Sequence, residues 1–156
     1  MCFHYVYNTI LVPHAGTVAG DEALKHAIYA ARDSSKLIIL HIVEAIQYPP
    51  SFSSSERENM LKSIDDANEE IKKDMEEKMK KYAQQYTKNN IESKVVVGDA
   101  AEIILDVVEK EKVDLIVIAK RRKLKGVKKL LSLGSVSRKI VENTSCPVLL
   151  IDAEQK

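Results

Sequence analysis

"VVVGDAAEIILDVVEKEKVDLIVIA", Val95 to Ala119, is the stretch that decides the fold. It opens on the end of a β-branched run and closes on "VDLIVIA", Val113 to Ala119, which is apolar at nearly every position. A run that does not alternate between apolar and polar suits a strand covered on both faces, as in a parallel sheet. Between the runs, Ile103, Ile104, Val107 and Val108 recur at the spacing of one helical face. Strand, helix and strand make a βαβ unit, whose right-handed crossover leaves its two strands parallel.

The same alternation extends in both directions. "YNTILVP", Tyr7 to Pro13, is a short strand stopped by proline. A helix follows with Ala23, Leu24, Ala27, Ile28 and Ala31 on one face, and Asp21 and Glu22 in the first turn, where the helix dipole favours acids. "KLIILHIVEA" is a second continuous strand, and "IQYPPSFSSSERENM" a loop punctuated by Pro49, Pro50 and serines. From Glu56 to Asn89 the apolar residues Met60, Ile64, Ala67, Ile71, Met75, Met79, Tyr82 and Tyr86 predict a long amphipathic helix lying on the sheet. "IESKVVVGD" is the third strand, "SVSRKIVENTS" a short helix with Val136, Ile140 and Val141 on one side, and "CPVLLID" the last strand. The expected fold is α/β: an open, doubly wound, five-stranded parallel sheet with helices on both faces, forming one domain over residues 1–156.

Such sheets bind ligands at the carboxyl ends of strands, where the strand order reverses. That rule directs attention to the loops after the first and fourth strands, "PHAGT" and the stretch from Ala119 to Lys139. Net charge is close to zero, but from Ala119 onward ten Lys and Arg face three Asp and Glu. Seven of those cations fall between Lys120 and Lys129 without a single acid. The excess attracts anions and says nothing about fold. The run lacks interleaved aromatics, so stacking on single-stranded nucleic acid is not expected, although duplex contact through phosphates stays open. Cys2 and Cys146 lie far apart and make no disulfide framework or zinc spacing. No metal-ligating set and no nucleophile elbow is present in the pattern. No apolar stretch reaches the length of a membrane span, and the N-terminus has no signal-peptide layout; a cytoplasmic protein is expected.

"ILVPHAGTVAGDEALKHAIYAA", "LHIVE", the Val95–Ala119 stretch and "GSVSRKIVENTSCPVLLID" together resemble the universal stress protein family over essentially the whole chain. The resemblance implies a Rossmann-like fold of the adenine-nucleotide alpha hydrolase type and a homodimer paired through the last strand, here Pro147 to Asp152. It also implies, for many members, binding of ATP or AMP, with Mg²⁺ accompanying ATP. Nucleotide-binding members carry Gly-x-x-Gly, nine residues, then Gly-Ser/Thr after the fourth strand, and an aspartate in the first loop. Glycines let backbone N–H groups approach phosphate oxygens, and a helix N-terminus adds positive field.

Carried over, Gly134 and Ser135 would cradle a phosphate, with Val136 and Ser137 completing the match. Thr17 matches a hydroxyl position, and Ile42 and Ile118 match apolar positions beside an adenine. The family's "Val-Pro-Val-Asp-Gly-Ser" reads here Val12-Pro13-His14-Ala15-Gly16-Thr17, so Ala15 replaces the aspartate. Ala119 stands where the first phosphate-loop glycine belongs, and counting back from Gly134 places Leu124 and Arg121 at the glycine positions. Lys120, Arg121 and Arg122 are the side chains that can bind an anion in place of the missing backbone cradle. His14 is a candidate to stack on a base or touch phosphate, while His41 reads as a satisfied core histidine. Gly134-Ser135 is also an ordinary helix cap in form. The expectation is a non-enzymatic stress-response module with a degenerate pocket for a small phosphorylated ligand at the ends of the first and fourth strands. Its alternatives are an ATP- or AMP-binding member with weak hydrolase activity and a polyanion binder acting through the basic loop.

Overall fold

The computed structural model describes residues 6–44, 54–85, 90–120 and 133–152. Nine elements alternate along the chain: β1 (Thr9–Pro13), α1 (Val18–Ala30), β2 (Lys36–Val43), α2 (Ser54–Gln85), β3 (Asn90–Val97), α3 (Ala100–Lys110), β4 (Leu115–Ala119), α4 (Ser135–Asn143) and β5 (Val148–Ile151). The strands form one sheet in the order β3-β2-β1-β4-β5, and every pairing is parallel. The fold is the doubly wound α/β sheet that the sequence implied. Strand order reverses between β1 and β4, so their carboxyl ends flank a crevice.

Period-two alternation sorts the strand residues between two cores. Ile10, Val12, Leu37, Ile39, Leu115 and Val117 pack with Ala23, Leu24 and Ala27 of α1 and with Met79 of α2. Leu11, Ile38, Leu40, Ile116 and Ile118 face the other way, against Ile104 and Val107 of α3 and Ile140 of α4. With both faces covered, the central strands are apolar throughout, which is why they read as unbroken runs. Met79 of α2 is fully buried, whereas Ile71, expected on the same apolar face, is 41% exposed. Tyr86, also assigned to that face, lies outside the described residues.

β4 begins at Leu115, two residues later than its apolar run suggests, because the end of α3 takes up the preceding residues. Lys112 adopts φ 51, its N–H reaches Glu109 O at 3.4 Å, and Val113 N–H donates to Val108 O at 3.0 Å. This pair of reverse bonds closes a helix through a left-handed residue, a place usually held by glycine. Asp114 then anchors the sheet's lower edge: its carboxylate accepts from Asn8 N at 2.8 Å and from Thr9 N at 3.0 Å. Nearby, Lys36 bridges Glu92 and Glu111 at 2.8 and 3.0 Å, and Lys94 pairs with the same two acids. These lysines hold the Glu111 carboxyl at about 2, Lys94 first and Lys36 second. Among the described residues no helix is long and apolar enough to cross a membrane.

Candidate functional site

A cleft of about 670 Å³ opens over the carboxyl ends of the central strands. Pro13 ends β1, and His14, Ala15 and Thr17 form the loop that follows it. Ile42 comes from β2, Ile118 and Ala119 from the end of β4, and Lys120 from the residue after it. Gly134, Ser135, Val136 and Ser137 supply the cap and first turn of α4. Every sequence-selected candidate within the described residues therefore borders one cavity. Arg121 and Arg122 lie outside the described residues. The volume falls within the range of pockets that hold small organic ligands, about 300–1,000 Å³.

The cleft floor is apolar. Leu40, Ile42, Ile104 and Ile118 line it from three elements. Its polar and charged lining residues are Thr17, Ser135, Ser137, Lys120, Glu44, His14 and His41. Lys120 is held in register by its own N–H, which donates to Ile151 O at 2.7 Å and continues the β4–β5 ladder.

The helix ends at the cleft are not equivalent. Thr17 caps α1 by accepting from Gly20 N at 3.3 Å, and Asp99 caps α3 by accepting from Glu102 N at 3.0 Å. The α4 cap, Gly134, has no side chain to offer and makes no side-chain cap bond. Its φ of −62° and ψ of 159° are open to any residue, so glycine is not required there by conformation. What glycine does is offer no side-chain acceptor of its own to the first turn of α4, at the positive end of a helix dipole.

His14 is placed differently from its expected role. Its ring is buried, sits 4.8 Å from the Tyr82 ring, and commits both nitrogens to the fold. Gly16 N–H donates to Nδ1 at 2.9 Å, so Nδ1 carries no proton. Nε2 therefore holds the hydrogen and donates it to Asp21 Oδ1, also at 2.9 Å. The ring forms part of the wall and has no nitrogen left for a phosphate. Burial holds its pKa below the ordinary 6.5, opposed by the hydrogen bond and charge of Asp21. Such close packing needs Gly20, where a Cβ would lie 2.8 Å from the His14 ring. His41 is the hydrogen-bonded core histidine its neighbours suggested, donating from Nδ1 to His14 O at 2.7 Å, and it also borders the cleft.

Sequence reasoning passed over Glu44, Ala100 and Ile104, which also line the cavity. Glu44 directly follows β2, so extending the carboxyl-end rule to the second strand would have found it. Ala100 and Ile104 come from α3, and only the packing of that helix against β2 brings them there. Cys146 lies away from the cleft, and burial pushes its thiol pKa up, as befits a packed side chain. Among the described residues no group of three or more His, Cys, Asp or Glu could hold a metal ion.

A parallel sheet wound on both faces, with a ligand-sized crevice at its order reversal, defines a doubly wound α/β protein. The chain belongs to the universal stress protein family, whose model matches residues 6–152. A universal stress protein of Methanothermobacter thermautotrophicus is 32% identical over 149 residues, spanning 94% of this chain and 96% of that relative. A universal stress protein of Methanocaldococcus jannaschii is 29% identical over 152 residues, 97% of this chain and 85% of the relative. Among solved structures, the universal stress protein UspA from Lactobacillus plantarum superposes with a TM-score of 0.70 at 20% identity, covering 95% of this chain and 99% of that one. A universal stress protein solved in complex with cAMP has a TM-score of 0.56 at 22% identity, with 95% and 98% coverage. A family protein from Arabidopsis thaliana solved with AMP bound gives 0.51 at 16% identity, with 94% and 92% coverage.

Proposed function

We propose that this universal stress protein is a non-enzymatic regulatory module whose cleft takes a small adenylate, a mononucleotide in preference to ATP. The carrying observation is the convergence of an apolar floor, Lys120 and the side-chain-free cap of α4 on one cavity. Ile42 and Ile118 suit the faces of a base, and the α4 N-terminus with Ser135 and Lys120 suits one phosphate. The relatives solved with cAMP and AMP support that ligand class. Ala15 and the absent early glycines weigh against a full triphosphate cradle. His14, with both ring nitrogens engaged, is not available as a general base. In this reading residues 1–156 act as one domain in the cytoplasm. A homodimer forms through the edge strand β5, whose Leu149 is 40% exposed.

A thermal-shift titration with AMP, cAMP and ATP, each with and without Mg²⁺, tests the reading. A ligand at a hundred times its Kd adds about 2.7 kcal/mol to folding, worth about 5–10 °C in a domain of this size. The expected result is such a shift with AMP or cAMP, independent of Mg²⁺, and reduced by Lys120→Glu. A larger shift that needs ATP with Mg²⁺, joined by phosphate release above a Ser135→Ala control, would replace this reading with the hydrolase. No shift with any of the three would reject the adenylate pocket.

A further inference from the structure

Two hydrogen bonds that meet on one imidazole tie the first cleft loop to proton uptake. Gly16 N–H donates to His14 Nδ1 at 2.9 Å, and Nε2 is engaged with Asp21 Oδ1 at the same distance. A neutral imidazole has one donor and one acceptor, and here each is in use. The imidazolium has two donors and no acceptor. A proton arriving at Nδ1 would set its N–H directly against the N–H of Gly16. The geometry points to His14 as a proton-operated latch on the Ala15–Thr17 loop: neutral, it holds the Gly16 amide, and protonated, it lets that amide go and reshapes the cleft mouth.

Each element packed on the ring bears on the switch. From α1, Asp21 offers a carboxylate that is 34% exposed and favours the charged ring. From α2, the Lys78 ammonium disfavours it, and Lys78 also donates to Gly16 O at 3.0 Å. Tyr82, on the same helix, covers a ring face. From β2, His41, which donates from Nδ1 to His14 O, also acts against a charged His14 ring. Burial is the largest influence, and it acts in the same direction as Lys78 and His41. The latch is therefore closed at neutral pH and opens below it.

Gly16 is suited to such a release. Its φ of +73° is a glycine conformation, and the residue can turn its peptide at little steric cost. The Lys78 contact to Gly16 O and the Thr17 cap do not involve the displaced N–H, so the change stays local to the loop. The linkage has a definite sign. The folded chain binds this proton less readily than the unfolded chain, so the contribution of His14 to stability is complete above about pH 6.5 and declines as pH falls toward the folded value. The latch is a property of the loop and stands whether or not the cleft takes an adenylate.

Nuclear magnetic resonance of the labelled full chain, titrated from about pH 8 to about pH 5, tests it across the histidine range. At the upper end the His14 ring nitrogens should report an unprotonated Nδ1. The protection factor of the Gly16 amide should hold constant there, then fall about tenfold per pH unit once His14 begins to titrate. Protection of Ile116 in β4 should not change, which separates the latch from global unfolding. His14→Asn places a non-titrating amide oxygen near the position of Nδ1, and Gly16 protection should become independent of pH. A protonated Nδ1 at the upper end, or Gly16 protection that stays flat while His14 titrates, overturns the proposal. If His14→Asn does not fold, those two wild-type readouts decide the matter alone.

Discussion

Replacing Gly20 by alanine separates local helix chemistry from the packing of the cleft loop by the sign of one number. Gly20 is the third residue of α1 and is buried. By propensity alone the substitution should stabilise the helix by up to about 1 kcal/mol. The new Cβ would stand 2.8 Å from His14 Cε1 and Nδ1 and 3.0 Å from Cγ. That is about 0.7 Å inside ordinary carbon contact. The ring cannot simply step aside, because Asp21 and Gly16 hold its two nitrogens and Tyr82 covers it. Overpacking of this kind costs about 1–3 kcal/mol. Stretching the two hydrogen bonds adds a further fraction of about 1 kcal/mol each. The balance is a loss of about 1–2 kcal/mol. Equilibrium urea unfolding should show a midpoint lower by about 0.5–1 M at an unchanged slope. In a His14→Ala background the same change should become neutral or stabilising, since the obstructing ring is gone. A midpoint that is unchanged or raised in the Gly20→Ala single variant would refute the packing argument.

Two further outcomes follow from other parts of the molecule. Ala15→Asp adds a carboxylate to an exposed position on the cleft rim and should tighten AMP binding by about tenfold or more, the worth of a charge-assisted hydrogen bond; calorimetric titration checks it, and unchanged affinity would show that the first loop does not reach the sugar. The Glu111 carboxyl is held at about 2 by Lys94 and Lys36, below its ordinary 4.5. Its contribution to stability is present above about pH 4.5 and disappears as pH falls through the folded value. Acid unfolding of Glu111→Gln should accordingly be less steep across that window than acid unfolding of the wild type.

The elements were legible because each carries its own burial pattern. Unbroken runs such as "KLIILHIV" arise only where a strand is covered on both faces, and the spacing of Ile103, Ile104, Val107 and Val108 belongs to one helical face. The cleft's position was legible for a related reason, since a parallel sheet exposes its carboxyl ends wherever the order turns. Boundaries were less so. Lys112 gives no outward sign of a left-handed turn, and it is that turn which delays β4 to Leu115. The role of His14 was not legible at all. A histidine in a loop beside a presumed pocket invites a ligand contact, but Asp21 lies seven residues on and Lys78 sixty-two residues from Gly16, and no spacing rule joins them.

What the sequence determined by itself is the alternation of strand and helix, the parallel winding, the faces that are buried and the loops that border the crevice. Hydrophobic periodicity is a local quantity, and each segment can be read without its neighbours. The tertiary structure decided which atoms meet: the strand order, the closed ring of Lys36, Glu92, Lys94 and Glu111, the glycine-capped start of α4 on the same cleft as Lys120, and the turning of His14 inward onto Gly16, Gly20 and Asp21. Those pairings depend on how three or four elements pack at once. Hydrogen-bond partners and close contacts are set to fractions of an ångström, on a scale that no one-dimensional pattern carries.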